Sequence, residues 1–238
     1  MKTILDAVLI GRVAPLGAQG KKSAIHKTPV HERVRVGETG LEGDEQHERK
    51  HHGGPEKALH HYSFDHYAVW RDEWRGDAAG IERFQMPGAF GENLSTRGID
   101  ESDVCVGDVF RIGTAIVQVS QPRQPCWKLN LRFAREDMSR RVQDTRRTGW
   151  YYRVLEPGEI GAGDAVERLA RPHPQWSVAR LLRVLYVDRD DRVSLEQMAA
   201  LDALTPSWRK TAQKRLESGN VESWANRLDT PSSQRADD

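Results

Sequence analysis

The chain has 238 residues, enough to bury a hydrophobic core without staples. Hydrophobic residues supply 37% of it and charged residues 30%, the balance of a globular protein with a heavily ionised surface, so disorder is confined to short pieces. Thirty-six basic against thirty-five acidic residues leave a formal net charge of +1, so no whole-molecule field draws the chain to nucleic acid or an anionic membrane.

The first residues, MKTILDAVLIGRVAPLG, hold a short apolar run that carries Asp6 and meets Arg12 instead of a small-residue cleavage site, which suits a first strand better than an export signal. No run approaches the roughly 20 apolar residues that span a bilayer, so the expectation is a cytoplasmic protein with no membrane partner. Up to about residue 50, β-branched runs alternate with glycine turns in ILDAVLIGRV, KKSAIHKTPV and ERVRVGETGLEGDEQ, the pattern of an all-β unit. From Pro55 to about Trp74 the spacing of Leu59, Tyr62, His66, Val69 and Trp70 predicts a helix after Gly53-Gly54. Strand signals return in AFGENLSTRGI and DVCVGDVFRIGTAIVQVSQP, with a hairpin across Arg111 to Thr114. Residues 130–146 read as a short arginine-rich helix, and GWYYRVLEPGEIGAGDAVERL as two final strands around a Pro-Gly turn.

The predicted fold class is therefore mainly β, a barrel with inserted helices closing near residue 169, followed by a small all-α domain. Residues 1–169 form the β domain. ARPHPQW, residues 170–176, reads as a linker because proline disfavours helix in the residue before it. Residues 177–228 carry three or four helices, with Ser177 and Ser194 as caps, Pro206-Ser207 opening a third helix and a short piece at Val221 to Leu228. Residues 229–238 are polar, without periodicity, and predict a flexible tail.

Two cysteines, Cys105 and Cys126, are too few for a disulfide framework or a four-thiolate iron–sulfur cluster. Cys126 ends VSQPRQPC, where two prolines stop the strongest strand and stiffen a loop, and Arg123 and Lys128 flank it with positive charge that favours the thiolate. The alternative is a buried, inert thiol, which Cys105 suits better because it sits mid-strand with no basic neighbour. Six histidines fall between His47 and His66; His47 and His51 have helical metal-ligand spacing, but Gly53-Gly54-Pro55 breaks the group, and surface or pocket-lining roles are the plainer account. Gly53-Gly54 allows close backbone approach to a ligand, and Lys57 could neutralise an anion there. Asn93 in GENL could read a heterocycle edge or close a turn on its own backbone. Arg140, Arg141, Arg146 and Arg147 make a locally basic segment that suits a solvated helix face better than a phosphate site.

Together LEGDEQ at 41–46, HGGPEKALHHY at 52–62, GENLS at 91–95, VGDVFRIG at 106–113 and QVSQPRQPCWKL at 118–129 resemble the YiiM branch of the MOSC superfamily, and SWRKTAQKRLESG resembles the three-helix domain that follows the barrel there. The resemblance implies a MOSC-type β-barrel that holds the molybdenum cofactor, with Cys126 as the metal ligand. Roles in lining that cofactor for Arg123, Ser120, Asn93, His52 and Lys57 follow from motif position alone. It further implies reduction of N-hydroxylated bases such as 6-hydroxylaminopurine, with His52 or His61 as proton donor and an external electron-donating reductase, since no dinucleotide fingerprint is present. It leaves room for a homodimer. The competing expectation is a non-catalytic carrier of the cofactor or of sulfur, which would use the same thiol.

Overall fold

The computed structural model describes residues 2–18, 20–47, 53–74 and 78–231. Its strands are β1 (Lys2–Gly11), β2 (Ala14–Leu16), β3 (Lys21–Ser23), β4 (Lys27–Val30), β5 (Val34–Gly37), β6 (Gly40–Leu41), β7 (Leu59–Ser63), β8 (Leu94–Thr96), β9 (Val109–Ile112), β10 (Ala115–Pro122), β11 (Trp150–Glu156), β12 (Gly158–Ile160) and β13 (Ala165–Ala170). The helices are α1 (Asp65–Glu73), α2 (Ala78–Glu82), α3 (Lys128–Phe133), α4 (Met138–Thr145), α5 (Val178–Tyr186), α6 (Arg192–Ala200), α7 (Pro206–Ser218) and α8 (Ala225–Leu228).

One sheet runs in the order β13-β9-β10-β11-β7-β8-β1, and β1 pairs back with β13, so seven strands close a barrel while β4 hangs from β1. Closure leaves those strands without open edges. All neighbours are antiparallel except β7 and β8, where His61 lies opposite Leu94. The predicted hairpin is present, with Ile112 opposite Ala115 and Gly113 at φ +55°, a left-handed turn position that glycine fills without strain.

The interior is packed by Leu5, Val8, Leu59, Leu94, Phe110, Val117, Val119, Trp150, Tyr152 and Val166, all essentially inaccessible to solvent. The same core continues through Trp176, Leu181, Leu185, Met198, Leu204 and Trp208, so the helical domain shares the barrel's core. A second core lies elsewhere: Tyr62, Tyr67, Trp70, Trp74, Phe84, Phe90 and Phe133 form an aromatic cluster joining α1 to α3.

Several predicted elements change. Pro55–Lys57 is one 3-10 turn, Leu59–Ser63 is a barrel strand, and helix begins only at Asp65. Apolar residues line both sides of 59–63 because one side packs the barrel and the other the aromatic cluster, so strand alternation is masked. The arginine-rich segment breaks into α3 and α4 at Ala134, which adopts φ +52°. The final stretch makes three strands, because β12 leaves the barrel to pair with β5. Ser177 caps α5 as expected, accepting from the Arg180 N–H at 3.1 Å. Helix α6 starts earlier than expected, at Arg192, because the Asp191 carboxylate accepts from the Ser194 N–H at 3.1 Å and takes the cap.

The stretch 170–176 is pinned. Arg171 pairs with fully buried Asp108 at 2.6 Å, and Trp176 is buried with its carbonyl accepting from Val106 at 2.9 Å. Of the C-terminal tail, Asp229 pairs with Arg140 at 3.1 Å, and residues 232–238 lie outside the described residues. No helix among the described residues is long and apolar enough to cross a membrane.

Candidate functional site: a thiol among buried cations

A half-open cavity of about 90 Å³ lies on the outer side of the β7–β11 wall, and the loop after β10 brings Cys126 to it. Pro122 ends the strand at its pairing with Trp150, and the Arg123 N–H donates to the Gly149 carbonyl at 3.0 Å. Cys126 then opens the first turn before α3, its carbonyl accepting from Leu129 at 3.0 Å. It is half-buried, whereas Cys105 is buried, its thiol pushed up by burial and by Asp108.

Lys27, His60, Asn93, Arg123, Lys128 and Tyr151 also line the cavity. Arg123 is 6% exposed, and its Nη1 is buried with no hydrogen-bond partner among the described residues. A buried guanidinium nitrogen without an acceptor is costly in isolation and favours an anionic ligand. Lys27 is almost fully buried and ion-paired with Asp44; burial pushes its ammonium down while Asp44 pulls it back up. Gly53 sits at φ +102°, where a β-carbon would overlap Gln46, and Gln46 Oε1 is itself buried with no hydrogen-bond partner among the described residues. Glycine therefore closes this wall tightly.

The sequence-predicted residues separate into two groups. Cys126, Arg123 and Asn93 come together at the cavity. Asn93, however, has its amide committed: Nδ2 donates to Leu9 O at 3.2 Å and to Asp44 Oδ2 at 2.9 Å, while Oδ1 accepts from His60 N at 3.1 Å. With both amide hydrogens and the carbonyl engaged, it positions strands and does not read a heterocycle. Ser120 is fully buried away from the cavity lining, its hydroxyl donating to Glu56 O at 2.6 Å, and so ties the 3-10 turn to β10. Lys57 sits in that turn and is not among the cavity residues, so its motif position does not translate into a lining role.

His61 is also absent from the cavity. It points into the barrel, fully buried, with Nδ1 at 3.0 Å from the Tyr152 hydroxyl and Nε2 at 2.8 Å from Thr96 Oγ1, and burial pushes it down to about 3. Both ring nitrogens are engaged away from solvent, which removes it as a proton donor for a cavity ligand. His52 lies outside the described residues, as does His51 of the His47 pair. Among the described residues no three His, Cys, Asp or Glu side chains are placed to hold a metal ion.

Like His47, His60, the neighbour of His61, lines the cavity. Its Nε2 lies 3.2 Å from the Thr148 carbonyl, and burial followed by the Arg123 charge holds its pKa well below the usual value. Thr148 and Gly149 are held in turn by Glu101, which accepts from their N–H groups at 2.9 and 2.6 Å and from His66 Nε2 at 2.7 Å. Burial alone would raise Glu101, but these bonds together lower it. His60, Lys27 and Tyr151 were missed in the sequence because their signal is which side of a strand they face, and no motif states it.

The helical domain also reaches the site. Helix α8 returns across the thiol loop: the Trp127 N–H donates to Arg227 O at 2.7 Å, Arg227 Nη1 to Pro125 O at 2.5 Å and Arg227 Nη2 to Gln143 Oε1 at 2.6 Å. Asn130 and Ser139 both donate to Leu228 O, at 2.9 and 2.7 Å. Pro125 and Trp127, the two neighbours of Cys126, are thus fixed by one arginine of the C-terminal segment.

Fold and site together define a closed β-barrel protein with a cation-rimmed thiol cavity and a helical domain built into the same core. Residues 48–167 match the MOSC domain and residues 176–219 match the YiiM-like, 3-alpha helix domain. Protein YiiM of Escherichia coli (strain K12) is 42% identical over 210 residues, covering 88% of this chain and 92% of that one. The crystal structure of YiiM from Escherichia coli superposes with a TM-score of 0.76 at 34% identity, covering 92% of this chain and 100% of the other. A protein named Reductase from Gibberella moniliformis is 39% identical over 220 residues, which are 90% of this chain but 38% of the fungal protein. The chain belongs to the YiiM-like MOSC-domain proteins.

Proposed function

We propose that this protein is a molybdenum-cofactor-dependent reductase of N-hydroxylated bases, with the cofactor's metal ligated by Cys126. The observation that carries the reading is the half-buried thiol in one cavity with Arg123, whose Nη1 lacks an acceptor among the described residues, and with Lys27 and Lys128. A soft thiolate suits a metal that is also bound by dithiolene sulfurs, and the surrounding cations suit an anionic pterin. The residues present therefore fit the group. When bound, the cofactor supplies the two-electron chemistry that N–O cleavage needs.

The chain's own contribution is binding, orientation and proton management. Pro125 and the Arg227 strap hold the thiol loop against the cavity. Arg123 faces the ligand with positive charge and is kept in place by its backbone bond to Gly149. His60 stays neutral, with Nε2–H directed to the Thr148 carbonyl, and so shapes the wall without adding charge. Proton delivery to the leaving oxygen falls to a group on this outer side. Electrons come from an external reductase, because two cysteines in the whole chain cannot build a four-thiolate cluster.

The test is molybdenum and pterin content of protein purified from a cofactor-competent host, wild type against Cys126→Ser, followed by reduction of 6-hydroxylaminopurine with an artificial electron donor. Near-stoichiometric cofactor lost in the variant, with turnover only in the wild type, is the expected result. Cofactor bound without turnover would leave a carrier; a folded wild type without cofactor would overturn the reading.

A further inference from the structure

Arg132, on the last turn of α3, lies six positions beyond Cys126 and feels the charge of a second arginine, Arg83. Its Nη1 donates to His26 Nδ1 at 2.8 Å, and its Nε is buried with no hydrogen-bond partner among the described residues. Burial and then the Arg83 charge lower its pKa, and both arginines act in the same direction on His26, whose shift is led by burial. Glu92, and after it Tyr67, act on Arg132 in the opposite direction. The Glu92 carboxylate is fully committed, accepting from the Tyr67 hydroxyl, from Gly88 N at 2.7 Å and from Phe90 N at 3.1 Å.

A guanidinium that donates to a neutral imidazole in place of a carboxylate, with its Nε buried and unpartnered among the described residues, is an unfavourable arrangement that a bound anion would relieve. The location is informative. His26 sits between Ile25 and Lys27, both lining the thiol cavity, and a β-carbon on Gly91 would come within 2.9 Å of Ile25 Cγ1, so the connection between β3 and β4 packs closely against the cavity wall.

We propose that Arg132, Arg83 and His26 form an anion-receiving subsite at the rim of the cavity, suited to the phosphate of a phosphate monoester. Two sources present that chemistry: the phosphate of a bound pterin, or a phosphate carried by a nucleotide form of the substrate. The choice between them rests on the reductase reading; the subsite does not.

The experiment is calorimetric titration of inorganic phosphate into full-length, cofactor-free protein, with the His26 ring resonances followed by NMR. Wild type and Cys126→Ser bind equally, while Arg132→Gln and, independently, Arg83→Gln weaken binding about ten-fold, the loss of a charge-assisted contact. No phosphate binding in the wild type, or binding that neither arginine variant alters, overturns the proposal; the second variant serves if the first fails to fold. Repeating the titration on cofactor-loaded protein separates the sources. Phosphate excluded after loading, with less pterin per chain in Arg132→Gln, assigns the subsite to the cofactor. Phosphate still bound, with the KM of Arg132→Gln raised for a hydroxylaminopurine nucleotide and unchanged for the free base, assigns it to the substrate.

Discussion

Strand β7 carries His60 and His61 in succession, and the pleat sends them to opposite sides of the barrel wall. His61 stacks 4.5 Å from the Trp150 ring inside the barrel, and His60 lies 5.1 Å from Tyr151 on the outer side, at the cavity. One residue of register therefore separates a structural histidine from one at the candidate site. The inner side is closed and fully buried, so changes there act on stability; the outer side gathers Cys126, Arg123 and the α8 strap, so changes there act on ligand and thiol.

Trp150→Ala gives the largest expected effect. The indole is fully buried in the barrel core, and its removal leaves a cavity beside His61 and Tyr152. A loss of about 3–5 kcal/mol is expected in urea unfolding. A loss below about 1 kcal/mol would mean that the barrel interior does not depend on the packing of Trp150.

Arg227→Ala probes the outer side. It removes the donors to Pro125 O and Gln143 Oε1, at an expected cost of about 1–3 kcal/mol. Its distinctive readout is Cys126: alkylation by iodoacetamide rises several-fold in the native state, and Arg227→Lys restores part of the protection because one donor can still reach Pro125. Labelling at the wild-type rate in Arg227→Ala would reduce the strap to ordinary packing.

Much of the fold was legible because its signals are local. The β9–β10 hairpin, the Ser177 cap and the proline-stiffened thiol loop each rest on a few adjacent residues whose backbone preferences agree. The strand at Leu59–Ser63 was hidden for the opposite reason: both of its sides are covered, so apolar residues do not alternate, and helical spacing through His66 and Trp70 overrode it. At the site, Cys126 and Arg123 were legible from a rigid loop with basic flanks. Ser120 and Lys57 shared the motifs without sharing the cavity, and Asn93 reaches the cavity with its amide already committed, because a motif records nearness in sequence and not where an amide or hydroxyl finds its partner. Arg227 reaches Pro125 from 102 positions away, and no local pattern announces such a contact.

The smallest effect concerns acid. Burial keeps His61 neutral, pushed down to about 3 from the ordinary 6.5. Below about 6.5 the unfolded chain takes up a proton that the folded chain refuses, so this contribution to stability is complete above 6.5 and declines as the pH falls toward 3. One such histidine gives a slope of about 1.4 kcal/mol per pH unit. His60, lowered for the same first reason of burial, adds a second contribution of the same sign. His61→Leu therefore lowers stability at neutral pH, leaving Tyr152 and Thr96 without their partner, yet flattens the pH dependence by one histidine's share. Urea unfolding of wild type and variant from neutral pH down to about 5 reads both effects. Parallel pH profiles would show that His61 accepts its proton in the folded barrel, and burial on the inner side of β7 would then not be what keeps it neutral.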